Sequence, residues 1–149
     1  MIQAQVTMSS EQLNNHQSKP GQEFVFPQGI AGFPDATRFG FIYEGIGDMV
    51  CMQSIEQPDA AFVLTPWDVE RLGQPPKLNV EQCKSLALKD ASEVMWMLVL
   101  NPFADQEWVT ANLKAPIALS ESSRRGFQLI RPESEHELRF RWMPQPKRK

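Results

Sequence analysis

Val94-Met95-Trp96-Met97-Leu98-Val99-Leu100 is an unbroken run of seven apolar residues, bounded by Glu93 on one side and by Asn101-Pro102 on the other. So short a run of β-favouring residues reads as a central strand covered on both faces, because a half-exposed strand would alternate with polar residues. Downstream, Val109, Ala111, Leu113 and Ala115 alternate with Thr110, Asn112 and Lys114, which predicts one strand with a wet face over Trp108–Ile117. Phe127–Ile130 and Leu138–Trp142 supply the last pair, the latter with Leu138, Phe140 and Trp142 on one side and Arg139 and Arg141 on the other.

Upstream, Asn79 stands as an N-cap before Val80, Cys83, Leu86 and Ala87, which predicts one short helix over 80–89. Pro75-Pro76 forbids regular pairing, so Asp68–Lys77 is a short helical turn or an irregular excursion. Met49–Ile55 and Ala60–Leu64 read as two strands joined by a turn at Glu56-Gln57-Pro58-Asp59. Arg38–Glu44 and Glu23–Pro27 add extended segments, and Ile2, Ala4, Val6 and Met8 show the period of a half-buried strand. Residues 9–21 are polar and read as a mobile loop. Eight or nine short strands, one helix, no α/β alternation and no internal repeat predict an all-β fold: a single-domain barrel or sandwich of mostly antiparallel strands over residues 1–143, followed by an unpaired basic tail at 144–149.

Of 149 residues, 42% are hydrophobic and 22% charged, and the net charge is −3. A chain of this length buries roughly 68–70% of its unfolded surface, enough for one core without staples. No apolar run approaches the roughly 18 residues a membrane helix needs, and Met1–Pro20 lacks the apolar centre of a leader, so a soluble cytoplasmic protein is expected with no membrane partner. The charge is uneven. Residues 1–120 hold 7 Lys/Arg against 14 Asp/Glu, whereas residues 121–149 hold 8 against 4. An acidic body repels phosphate backbones and attracts basic partners.

Few residues offer chemistry. Cys51 and Cys83 lie far apart and form no C-x-x-C pair, and His16 and His136 have no second ligand at metal spacing, so neither metal nor cofactor is expected. Gly29 and Gly32 lack the third glycine and following helix of a dinucleotide loop. Ser120, Ser122 and Ser123 have no nucleophile elbow around them and no strand-end histidine to serve as base; a polar hairpin turn is the simpler reading, and no enzymatic activity is expected. Met49, Met52, Met95 and Met97 are either core filling or an adaptable binding surface. Trp67, between Pro66 and Asp68, either closes one end of a barrel or docks a partner.

Three blocks resemble a known family. Phe26-Pro27-Gln28-Gly29-Ile30-Ala31-Gly32-Phe33-Pro34-Asp35 is similar to the F-P-x-G-I-x-G-F-x-D opening of the FliW flagellar assembly factors. Met52-Gln53-Ser54-Ile55-Glu56-Gln57-Pro58-Asp59 with Ala61-Phe62-Val63 resembles the family's L-Q-S-x-x-x-P-x-x-x-F-x-V block. Asn112-Leu113-Lys114-Ala115-Pro116-Ile117, followed by Arg124-Arg125-Gly126 and Gln128, resembles its N-L-x-A-P-I and R-x-G-x-Q block. The blocks fall in the family's order. The stretch after the second one departs from it, since Thr65-Pro66-Trp67-Asp68 leads quickly to Arg71 and Pro75-Pro76 where family members carry a longer acidic-aromatic segment.

The resemblance implies a small, non-enzymatic, monomeric cytoplasmic protein with two alternative partners. One is flagellin before export; the other is CsrA, a small basic translational repressor whose grip on flagellin messenger RNA is weakened when it is bound. Gly29, Gly32, Pro27 and Pro116 are most simply backbone-shaping, and Phe33, Phe62 and Leu113 core. Gln53, Ser54, Glu56, Asp59, Asn112, Arg124 and Gln128, together with Trp67, remain as candidates for partner contact, although Gln53 and Asn112 equally read as satisfying buried backbone groups at strand ends. The alternative function is a nucleic-acid-binding barrel using Arg139, Arg141 and Trp142 with Lys147, Arg148 and Lys149, because aromatics interleaved with cations suit single strands.

Overall fold

The computed structural model describes residues 23–43, 48–131 and 137–146. The expected strand at Ile2–Met8, the loop at 9–21 and Lys147-Arg148-Lys149 lie outside the described residues. Within them, nine strands form: β1 (Phe24–Val25), β2 (Arg38–Tyr43), β3 (Val50–Ser54), β4 (Ala61–Pro66), β5 (Val94–Asn101), β6 (Trp108–Ala111), β7 (Ile117–Ser120), β8 (Arg125–Gln128) and β9 (Phe140–Pro144). All pair antiparallel except the short contact of β1 with β8. The sheet runs β4-β3-β2-β1-β8-β7-β5-β6-β9, and a further pairing of β4 with β5 closes seven of the strands into a barrel, leaving β6 and β9 as a flap.

Closure explains the apolar run. Side chains alternate along a strand, so Met97 and Val99 of β5 point into the barrel while Trp96, Leu98 and Leu100 point out. Inside, Met97 meets Phe24, Phe26, Phe39, Met52, Leu64, Ile117 and Leu119 in a single cluster. The outward residues are covered too. Leu98 and Leu100 join Ile42, Cys51, Val63, Val109 and Ala111 beneath Phe140, Trp142 and Met143 of the flap. Trp96 joins Ala118 and Leu86 beneath the excursion between β4 and β5. Coverage on both faces therefore holds from Trp96 to Leu100, but Met95 keeps 37% of its surface exposed.

That excursion carries two helices, α1 (Val69–Leu72) and α2 (Val80–Ser85). Asp68 caps α1 by accepting from the N–H groups of Glu70 and Arg71. Asn79 caps α2 as expected, in a reciprocal pair with Gln82. The helix is shorter than the predicted 80–89: Leu86 ends it, Ala87 takes a positive φ of 51°, and the Leu88 N–H returns to the Cys83 carbonyl. Its spacing misleads because Val80 is 70% exposed and the fully buried residue is Leu86, the cap that ends the helix.

Two further expectations need correction. The predicted strand over Trp108–Ile117 is two strands along the same edge of β5: Ala111 faces Leu100 but Ile117 faces Met97, and residues 112–116 loop out between them. Asn112 Oδ1 accepts the Lys114 N–H at 2.9 Å to hold that loop, and Pro116 has no N–H to give a ladder. The wet face is absent from β6, where Val109, Thr110 and Ala111 are all buried, and survives only in the half-buried Asn112 and Lys114 of the loop. At the other terminus, Pro144 and Gln145, expected to be unpaired, are docked: Pro144 pairs with Trp108, and Gln145 donates from Nε2 to the carbonyls of Pro102, Asp105 and Trp108.

Candidate functional site

The three sequence blocks meet at one end of the barrel. After β1 the chain turns inward, with the Phe26 carbonyl accepting from Gly29 N–H and with Ile30 and Phe33 exchanging backbone hydrogen bonds. Phe26, Ile30 and Ala36 are buried by this turn and plug the interior. Gly29 is required there: its φ is 70°, and a Cβ would lie 2.5 Å from the Pro34 carbonyl oxygen. Gly126 of β8 leaves room for the Phe26 ring, whose nearest atom would be 2.2 Å from any added Cβ.

Around this plug the polar candidates are bound inward. Gln53 is buried, and its Nε2 donates to the carbonyls of Ser54 and Pro58 at 3.1 Å. Ser54 Oγ accepts the N–H groups of Glu56 and Gln57 at 3.2 and 2.9 Å, shaping the turn between β3 and β4. Glu56 accepts from Thr37 N–H (3.2 Å), the Thr37 hydroxyl (3.0 Å) and Arg38 N–H (3.0 Å), with Arg38 Nε 3.7 Å away. Partial burial raises the Glu56 carboxyl, but these hydrogen bonds and the Arg38 charge outweigh it and hold the group below its ordinary range. Gln128 ties two blocks together, accepting Ala31 N–H at 2.8 Å and donating to the Ala115 carbonyl at 3.3 Å. Asn112 belongs to the loop already described. Asp59 alone of this group is exposed without a hydrogen bond among the described residues.

Trp67 and Arg124 lie elsewhere. Trp67 is half-buried between the two outer clusters, donates its Nε1–H to the Gly73 carbonyl at 2.8 Å and donates its backbone N–H to the Trp96 carbonyl. It pins the excursion to the barrel wall. Arg124 sits in the β7–β8 turn with a positive φ of 57° and places its guanidinium 5.4 Å over the Phe24 ring. There, among the described residues, the barrel is open. A cavity of about 340 Å³ is lined by Phe24, Phe41, Val50, Met95, Met97 and Leu119, with Asp48, Glu121 and Arg124 among the residues that bound it. Of the four methionines singled out in the sequence, Met52 and Met97 are core, Met49 is half-buried, and Met95 lines this mouth. Sequence reasoning missed Phe24, Phe41, Asp48 and Glu121; the strand period offers the one usable signal, since it sets Phe41 and Met95 on inward positions at strand ends.

The serines and the basic aromatic segment are engaged as well. Ser122 donates to Glu93 at 2.9 Å and Ser123 to the Leu86 carbonyl at 2.6 Å, so the hairpin turn tethers the excursion. The face of Trp142 is occupied by Arg71, whose guanidinium lies 4.2 Å from the ring centroid and donates to the Arg141 carbonyl at 2.9 Å. Arg139 and Arg141 are exposed, and Arg141 lies 5.8 Å from the Trp108 ring centroid. No helix among the described residues is long and apolar enough to cross a membrane.

Compared with known families, residues 7–142 match the FliW protein family. The chain belongs to that family. A flagellar assembly factor FliW from Symbiobacterium thermophilum is 30% identical over 118 residues, covering 78% of this chain and 86% of the relative. One from Caldanaerobacter subterraneus is 34% identical over 108 residues, covering 70% and 71%. The crystal structure of a flagellar assembly factor FliW superposes with a TM-score of 0.74 at 23% identity, over 87% of this chain and 91% of that one, so the closed barrel is the FliW fold. FliW proteins are flagellar assembly factors and not a known enzyme family.

Proposed function

We propose that this FliW-family chain works by occupancy in the cytoplasm: it holds flagellin before export and, once flagellin has left, binds CsrA and antagonises its repression of flagellin messenger RNA. The family match over residues 7–142 carries this reading. Two features of the molecule support it. A closed barrel coated on its outer face is a rigid scaffold, suited to presenting a surface and not to moving around a substrate. Its first 120 residues hold 14 carboxylates against 7 cations, a field that draws a small basic protein and repels RNA. Arg71 across the face of Trp142 leaves that face unavailable for stacking on a base, which weighs against the nucleic-acid alternative.

The test is a titration of the purified chain with flagellin and then with CsrA, each followed by competition from the other. Saturable binding of both, with mutual displacement or mutual exclusion, is expected. Binding of neither overturns the proposal, as does salt-sensitive binding of RNA by the chain alone.

A further inference from the structure

The barrel mouth differs in chemistry from the rest of the surface. Among the described residues seven large apolar ones are exposed, and six of them, Val25, Val69, Val80, Phe103, Ile130 and Leu138, line neither this cavity nor the larger cleft beside Pro75-Pro76. Met95 lines the cavity at the mouth, and the walls behind it are Phe24 and Phe41, their ring centroids 4.8 Å apart. At about 340 Å³ the cavity is at the small end for a ligand site, a volume that takes one or two side chains. The unbranched thioether of Met95 adapts to the shape that enters.

The charges around the mouth choose among occupants. Asp48 and Glu121 are exposed and form no ion pair among the described residues. The one cation there, Arg124, is set against the Phe24 ring by a backbone conformation unusual for a side-chain-bearing residue. Two carboxylates without an ion pair among the described residues thus flank an apolar socket on a body that is itself acidic. The complementary shape is a large apolar side chain with lysine or arginine beside it.

We infer that the open mouth formed by Phe24, Phe41, Met95, Asp48 and Glu121 is the docking site for a basic protein segment, which inserts one apolar anchor while its cations meet the two carboxylates. Resting on the proposed function, this assigns the mouth to CsrA, the basic one of the two partners; flagellin needs neither the socket nor its carboxylates and excludes CsrA by bulk from an adjoining surface. Socket and rim contribute differently. The apolar anchor holds the complex together, whereas the carboxylates speed encounter and make binding weaken with salt.

The experiment is calorimetric titration of the full chain and of Met95→Glu, Glu121→Lys and Met95→Leu with purified CsrA and, separately, with purified flagellin, after thermal melts establish that each variant is folded. Met95→Glu and Glu121→Lys are expected to weaken CsrA binding by about tenfold or more and to leave flagellin within about threefold. Met95→Leu keeps the socket apolar and is expected to stay within about threefold for both. Raising the salt should weaken the unaltered chain more than Glu121→Lys. If the unaltered chain binds CsrA and both charge-changing variants bind it equally well, the assignment of the mouth is wrong while the proposed function stands. Loss of flagellin to the same degree as CsrA also overturns the assignment. If the unaltered chain binds neither protein, the proposed function fails and takes this inference with it. Should Met95→Glu not fold, Glu121→Lys, which lies in an exposed turn, decides the matter alone.

Discussion

At one end of the barrel the turn after β1 seals the interior with Phe26, Ile30 and Ala36, and Gln53, Ser54, Glu56 and Gln128 spend their polar groups on neighbouring backbone. At the other end the same interior stops at Phe24, Phe41 and Met95 and opens through a mouth rimmed by Asp48 and Glu121, which form no ion pair among the described residues. The sealed end holds almost all of the recognisable sequence, and the open end holds almost none. A motif of glycines, prolines and polar residues at strand ends is what closing a barrel demands, so its presence identifies the fold more directly than it identifies a contact surface. An opening needs only that inward-facing side chains run out before the chain turns back.

Substitutions can sharpen or break this contrast. The largest effect is expected just inside the plug, where Phe39 is fully buried and packs edge-on against Phe26 at 5.2 Å: Phe39→Ala should cost about 3–5 kcal/mol, read from urea unfolding. Next comes Gly29→Ala at the sealed end, which adds a Cβ against the Pro34 carbonyl in a left-handed backbone and should cost about 2–3 kcal/mol in the same measurement.

Glu56→Gln should cost about 1 kcal/mol at neutral pH, discounted because the side chain is partly exposed. The sign of its pH dependence follows from the lowered carboxyl: the stabilisation is complete above the unfolded-state value and is lost as the pH falls through the lower folded-state value. Unfolding followed from pH 7 down into the acid range should therefore show the unaltered chain losing stability toward the variant. A constant gap between the two would show that the carboxylate charge is not what holds Thr37 and Arg38.

The smallest effect belongs to the open end. Met95→Leu should change stability by less than about 1 kcal/mol, because the residue is partly exposed and the swap conserves volume. A cost there as large as that of Phe39→Ala would mean the mouth is part of the core, and the distinction between the two ends would collapse.

Much of the fold was legible before any coordinates. The strands at Arg38–Tyr43, Val50–Ser54 and Ala61–Pro66 follow from apolar runs bounded by turn residues, and the Asn79 cap was visible because its chemistry is local. What failed was set by neighbours far away in sequence. The loop at 112–116 interrupts an alternation that continues across it, so only the shared edge of β5 reveals two strands. The Val80–Ala87 spacing suggests a buried helix face, yet the burial belongs to Leu86, the residue that ends the helix just before a left-handed turn at Ala87. Among the candidate contacts, Gln53 and Asn112 were recognisable as backbone-satisfying groups from their place at strand ends, whereas the bonds of Glu56 to Thr37 and Arg38 and of Gln128 to Ala31 join segments that sequence cannot bring together.

The sequence by itself determined the class of fold, the family and the acidic character of the body, because period-two patterning, turn chemistry and charge are properties of short stretches. The tertiary structure alone decided that the barrel closes through β4 and β5, that one end is plugged and the other open, and that Met95, Asp48 and Glu121, from three separate strands' ends, share a rim. The reason is geometric: closure and tilt set which strand ends become neighbours, and no local residue preference encodes that meeting.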